Sequence, residues 1–145
     1  MRLDTPIETA DLAWAFASLC SLLRVPFDPD LFLQQFPPPL NVASLSHAAS
    51  SLGLQVNRRR YAPRDLPQIA SPLIALRRAA HGGASRVALI LDADAQAVLV
   101  AERNMPPSCI RHTELAANYE RDMLVVVPRD SASSPEDDRR GERER

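Results

Sequence analysis

At 145 residues, with 17 basic against 18 acidic side chains and a net charge of −1, the chain has the size of one domain and lacks the charge imbalance of a nucleic-acid-binding surface. It can bury a core without metals or disulfides, and its two cysteines, Cys20 and Cys109, have no Cys-x-x-Cys spacing; this excludes a disulfide framework or a cysteine-rich zinc site and fits a reducing compartment. No stretch reaches the roughly 18–20 apolar residues of a membrane-spanning helix and no charged-apolar-small leader opens the chain, so a cytoplasmic protein is expected.

Residues 1–8 hold Pro6 and show no period. The first helix is predicted over residues 9–24, with Thr9 as its N-cap. Leu12, Phe16, Leu19 and Leu23 recur at helical spacing, flanked by Ala15 and Leu22 and widened by Ala13, Ala17 and Cys20, so one face is predicted to pack on the core. On that pattern Leu19→Ala costs about 2–5 kcal/mol. Asp11, Trp14, Ser18 and Ser21 share the other side. The first turn at Asp11 matters most for chemistry, because a helix N-terminus stabilises anions and is a common seat for a thiolate nucleophile.

Val25, Pro26 and Pro29 break this helix, and Asp28 before Pro29 predicts a short second helix over residues 29–35. Three prolines at 37–39 end it. A third helix is predicted over residues 44–52, closed by Gly53. The period then changes. Residues 54–57 alternate as a strand running into Arg58, Arg59 and Arg60, which read as a solvated strand end. Residues 62–68 form a proline-bounded turn, residues 72–77 and 86–91 are strands by composition, and residues 96–101 return against the latter as a hairpin. Residues 104–110 are predicted as a proline-rich loop, 113–119 as a short helix and 123–127 as the last strand. Helices first and an antiparallel sheet of about five strands after them define an α+β fold. The domain is placed at residues 1–130. Residues 131–145, with no apolar side chain larger than alanine, read as a disordered tail or linker.

The ordered set of elements resembles the papain-like domain of the C39 peptidase family, found at the N-terminus of bacterial ABC exporters. The helix at 11–24 followed by Val25-Pro-Phe-Asp-Pro-Asp-Leu is similar to the family's nucleophile helix and its following turn. Residues 48–56 resemble its third helix running into a strand, Asp65-Leu and Pro72-Leu-Ile-Ala-Leu its acidic turn and proline-led strand, and Thr113-Glu-Leu with Tyr119 its terminal helix. The resemblance rests on the ordered set and spans residues 10–128.

That resemblance implies a thiol peptidase site, which requires a cysteine at the helix N-terminus, a histidine as base and a group to orient it. By alignment the cysteine position holds Asp11, the histidine position Arg86 or, one residue out of register, Ser85, and the orienting position Ala101 or Glu102. The glutamine of the oxyanion hole has no counterpart near Thr5-Pro-Ile7. The catalytic set is therefore expected to be lost, and Asp11→Cys alone is not expected to restore it, since Arg86 cannot act as a base near neutral pH. Cys20 lies on the apolar stripe and reads as inert core. His47 reads as helix surface and His81 as a loop residue. The three histidines have no i, i+4 pairing and imply no metal site, and no cofactor is implied.

A C39 fold without its nucleophile resembles the C39-like domain of haemolysin-type exporters, which docks the unfolded secreted polypeptide before export. The expected function is thus a non-catalytic docking domain of a type I secretion ABC exporter, at the cytoplasmic face of the bacterial inner membrane, with the unfolded substrate and the remainder of the exporter as partners. The candidate cleft comprises Asp11 and Arg86, expected as a partly exposed ion pair, with Trp14, Tyr61 and Leu76 lining an apolar groove; an open sheet edge is the other place for an extended chain. Two alternatives stay open: a stand-alone protein-binding adaptor or chaperone, and a cysteine peptidase using Cys109 and His112.

Overall fold

The computed structural model describes residues 3–69, 72–78 and 83–128. The expected tail at 131–145 and His81 lie outside them. Chain entry is a two-residue strand, β1 (Pro6–Ile7), paired antiparallel with β2 (Leu40–Asn41). Between them run α1 (Thr9–Leu23) and α2 (Pro29–Gln35), and α3 (Val42–Ser51) follows β2. The rest is β3 (Leu54–Arg60), a 3-10 turn (Pro63–Gln68), β4 (Leu73–Arg77), β5 (Val87–Ala93), β6 (Ala97–Glu102), β7 (Met105–Arg111), α4 (His112–Asn118) and β8 (Tyr119–Pro128). The main sheet is antiparallel in the order β3-β8-β4-β5-β6-β7, six strands where about five were expected.

The extra strand is β7, which the two prolines at 106 and 107 had marked as loop. It lies at the sheet edge, where one proline can face outward, and the β6–β7 register shifts between Val100 and Glu102, so that neither Pro106 nor Pro107 is a ladder partner. Asn104 adopts φ 66°, and Arg103-Asn104 form the tight turn that folds β7 back on β6.

Alternation along the strands divides the core between the two sheet faces. Ile74, Leu76, Val87, Leu89, Leu124 and Val126 face α1, α2 and α3, whereas Leu73, Ala75, Ala88, Ile90, Val100 and Met123 face the 3-10 turn and α4. In α1 the buried positions are Asp11, Leu12, Ala15, Phe16, Leu19 and Cys20. Leu22, expected beside that stripe, is exposed, because the buried face is centred on Leu12, Phe16 and Leu19 and Leu22 points away from it.

The starts of α2 and α3 follow local chemistry, and the start of α1 does not. Asp28 caps α2 by accepting from the Asp30 and Leu31 amides, and Gly53 follows α3 at φ 77°. At α1 the N-cap is Glu8, with no side-chain cap bond, and Thr9 is already helical. The cause is tertiary: the Glu8 amide donates to the Ser85 carbonyl at 2.9 Å and the Ser85 amide to the Pro6 carbonyl at 2.9 Å, so the chain enters α1 pinned to the segment leading into β5. α3 opens on a reciprocal cap, the Ser44 amide donating to Asn41 Oδ1 at 2.8 Å and Ser44 Oγ accepting from the Asn41 amide at 3.3 Å. Asn41→Ala is expected to lower stability by about 0.5–2 kcal/mol, read from denaturant midpoints; an unchanged midpoint would show that the β1–β2 pairing fixes this helix start unaided.

Candidate functional site

Asp11 lies in the first turn of α1 and is fully buried, against the expectation of a partly exposed position. A buried carboxylate needs donors, and it has three. Its Oδ2 accepts from Arg86 Nε at 2.6 Å and from the Val87 amide at 3.0 Å; its Oδ1 accepts from Arg103 Nε at 2.7 Å. Burial alone would push the Asp11 carboxyl up, but the hydrogen bonds from Arg86, Arg103 and the Val87 amide outweigh it and hold the group below the ordinary carboxylate value. Arg86 is raised in return, chiefly by its hydrogen bond to Asp11.

The expected Asp11–Arg86 pair is therefore present, and it differs in kind from the exposed pair anticipated. The arginine side chains are 46% and 30% exposed while the acid has no exposure, so water solvates the cations and protein alone solvates the anion. Arg103 is the member that sequence reasoning missed. Its signal was the Arg103-Asn104 pair after a strand, a turn former that sends the chain back and turns Arg103 toward the start of α1.

Glu102, expected at or near the orienting position, accepts from Tyr119 Oη at 3.0 Å and pairs with Arg77 Nη1 at 3.5 Å. Burial and this bond to Glu102 push the Tyr119 hydroxyl up to about 12. Glu102 also attracts Arg86 electrostatically, so the two polar groups adjoin without sharing a hydrogen bond. Ser85, the alternative to Arg86, is buried and engaged through its backbone with β1.

The expected apolar groove is not assembled. Leu76 is fully buried beneath the helices, Trp14 is half-buried against the same core cluster, and Tyr61 packs with the cluster on the opposite sheet face. Strand alternation explains the error, since a side chain at the end of β4 that faces α1 cannot share a surface with one packed on the other side of the sheet. An apolar hollow of about 320 Å³ lies instead between the α1–α2 turn and the end of α3, lined by Phe27, Leu31, Phe32 and Leu52.

Cys20 is buried, as expected, and burial pushes its thiol up. Cys109 is exposed on β7 opposite Leu99, and His112 opens α4. They line separate hollows, Cys109 with Asp92 and Asp94, His112 with Gln96 and Thr113. Among the described residues no cluster of three histidine, cysteine or acidic side chains could hold a metal ion, and no helix is long and apolar enough to cross a membrane.

This arrangement of helices on an antiparallel sheet is the papain-like fold of the C39 peptidase domains of ABC transporters. The chain is similar to the peptidase domain of Streptococcus ComA, a bi-functional ABC transporter involved in a quorum-sensing pathway, with a TM-score of 0.70 and 10% identity over 88% of this chain and 98% of that one. It is similar also to the N-terminal peptidase C39-like domain of the toxin secretion ATP-binding protein from Vibrio parahaemolyticus, at TM-score 0.61 and 20% identity over 88% and 98%. A third similar structure is a double-glycine motif protease from an AMS/PCAT transporter in complex with the leader peptide, at TM-score 0.65 and 15% identity over 88% and 86%. No family model and no curated protein matches the sequence.

Proposed function

We propose that this chain is a non-catalytic docking domain of a type I secretion ABC exporter, which holds the unfolded secreted polypeptide at the cytoplasmic face of the inner membrane before export. The observation that carries the reading is the state of Asp11. At the head of the helix that resembles the family's nucleophile helix stands a carboxylate, and all three of its hydrogen bonds are to groups of the fold itself. No thiol adjoins it: Cys20 is buried farther along α1 and Cys109 is on the edge strand. Thiol acyl transfer needs a nucleophile and a base in contact, and a buried acid tied to two permanent cations supplies neither.

The polypeptide-binding part of the reading draws on the neighbours, one of which is held with a leader peptide. A thiol peptidase built on Cys109 and His112 has less support, because the two side chains line different hollows. A free-standing adaptor would share the binding activity and lack the exporter; whether the same reading frame continues into membrane spans and a nucleotide-binding domain separates these two.

The test is a titration of the chain with a calcium-dependent repeat toxin of type I secretion, once unfolded without calcium and once folded with it, each mixture then being examined by mass spectrometry alongside a Gly-Gly leader peptide. Binding of the unfolded form on the order of micromolar, weaker or absent binding of the folded form, and intact peptides are expected. Cleavage, or equal affinity for both forms, would overturn the proposal.

A further inference from the structure

The Asp11 cluster has more donors than its own acid uses. Each arginine is held through Nε alone, Arg86 at 2.6 Å and Arg103 at 2.7 Å, and among the described residues the Nη groups of both donate no hydrogen bond. A guanidinium carries four N–H bonds on its two Nη atoms, so two arginines fixed on one carboxylate leave two forks. Within the hydrogen-bonded group one acid faces two bases, and Glu102 and Glu8 act on Arg86 from outside that group. The partial exposure of both arginine side chains makes their charge accessible to water.

We propose that Arg86 and Arg103 form a carboxylate-binding fork, in which the buried Asp11 fixes the two guanidiniums by their Nε atoms and leaves their Nη atoms to take a carboxylate of the bound polypeptide. The inference rests on the docking function proposed above and names the chemical group that is docked. Three physical features carry it. Planar guanidiniums match carboxylates in pairs of parallel hydrogen bonds, as a lysine ammonium does not. Anchoring by Asp11 removes the rotamer freedom that a surface arginine otherwise loses on binding. Of the acids that attract Arg86, Asp11 alone is hydrogen-bonded to it and occupies its Nε; Glu102 is engaged with Tyr119 and Arg77, and Glu8 makes no hydrogen bond to it among the described residues. Room for the chain that bears the carboxylate exists nearby, in a hollow of about 440 Å³ lined by Pro6, Glu8, Thr9, Pro39, Leu40 and Ala84, the last of these two residues from Arg86. The carboxylate is either a chain terminus or a side chain of aspartate or glutamate; the recognition chemistry is the same.

The experiment is an NMR titration that follows the Nε–Hε signals of Arg86 and Arg103 in the whole chain. The probes are an acetylated hexapeptide of alanine, glycine and serine with a free C-terminal carboxylate, the same peptide amidated, and the amidated peptide carrying one central glutamate. Both signals should move with the first probe, with the third, or with both, which tells terminus from side chain, and the uncharged peptide should bind at least tenfold more weakly. Arg103→Lys, which keeps the charge and loses the fork, should weaken binding at least fivefold; its melting midpoint shows that the domain remains folded. Equal affinity for the charged and uncharged peptides, or for the Lys variant and the parent, overturns the fork. The unfolded toxin is titrated in parallel with its carboxylates free and amidated. Equal binding of both leaves the docking function standing without the fork, and no binding of either removes both.

Discussion

An Arg86→Met, Arg103→Met double variant is expected to lose about 3–4 kcal/mol of stability at pH 7, because it strips both cationic partners from a carboxylate that has no contact with water. The part of that loss that comes from leaving the acid buried and unpaired has a physical ceiling. Taking up a proton at pH 7, from an unfolded value near 3.9, costs about 4 kcal/mol, and beyond that the carboxyl simply becomes neutral. The pH dependence should change sign as well. In the parent the Asp11 carboxyl lies below its unfolded value, so its contribution is complete above about pH 4 and is lost as the pH falls through the folded value. In the double variant burial remains and most of the opposing hydrogen bonds are gone, so the carboxyl rises and stability falls as the pH climbs from about 4 to 7. Adding Asp11→Leu to the double variant should recover most of the loss, since an apolar replacement of a whole buried pair is often neutral. Urea midpoints from pH 3 to pH 8 measure all three. A double variant that keeps the parent's pH slope would mean that Asp11 is not the buried anion described.

Phe16→Ala is expected to cost about 3–5 kcal/mol, the range for truncating a fully buried aromatic ring. The ring sits with its centroid 5.5 Å from that of Phe32 and 6.3 Å from that of Phe27, so its loss opens a cavity at the junction of α1, α2 and their connecting turn. Leu22→Ala, on the same helix and exposed, should stay within about 0.5 kcal/mol. Comparable losses at the two positions, by denaturant unfolding, would show that the buried face of α1 has been drawn wrongly.

Much of this architecture was legible in residue pattern alone. The second helix follows from Asp28 and Pro29 and is found at the bounds read from them. The apolar runs at 72–77 and 86–91 became central strands buried on both faces, which is why they lack the alternation of a half-exposed strand. Pairing of Asp11 with Arg86 was legible because the alignment put both at one site. Its burial was not, since the donors arrive from β5 and from the β6–β7 turn, many residues away in sequence. The groove of Trp14, Tyr61 and Leu76 failed for a related reason: composition identifies an apolar side chain without saying which face of a sheet it occupies. Strand β7 was hidden by its prolines, which deny it a central place and leave it an outer one.

Those prolines bear on how the domain meets other chains. A sheet edge normally offers a ladder of unpaired amides on which another strand can grow, whether a partner's or a second copy's. On β7 one of the two consecutive prolines turns its nitrogen to the open edge and interrupts the row of outward amides there, and at the opposite edge β3 ends in three consecutive arginines, long charged side chains of the kind that blunt an edge. Both borders of the sheet thus discourage self-templated stacking, a safeguard suited to a domain proposed to spend its working life beside unfolded polypeptide.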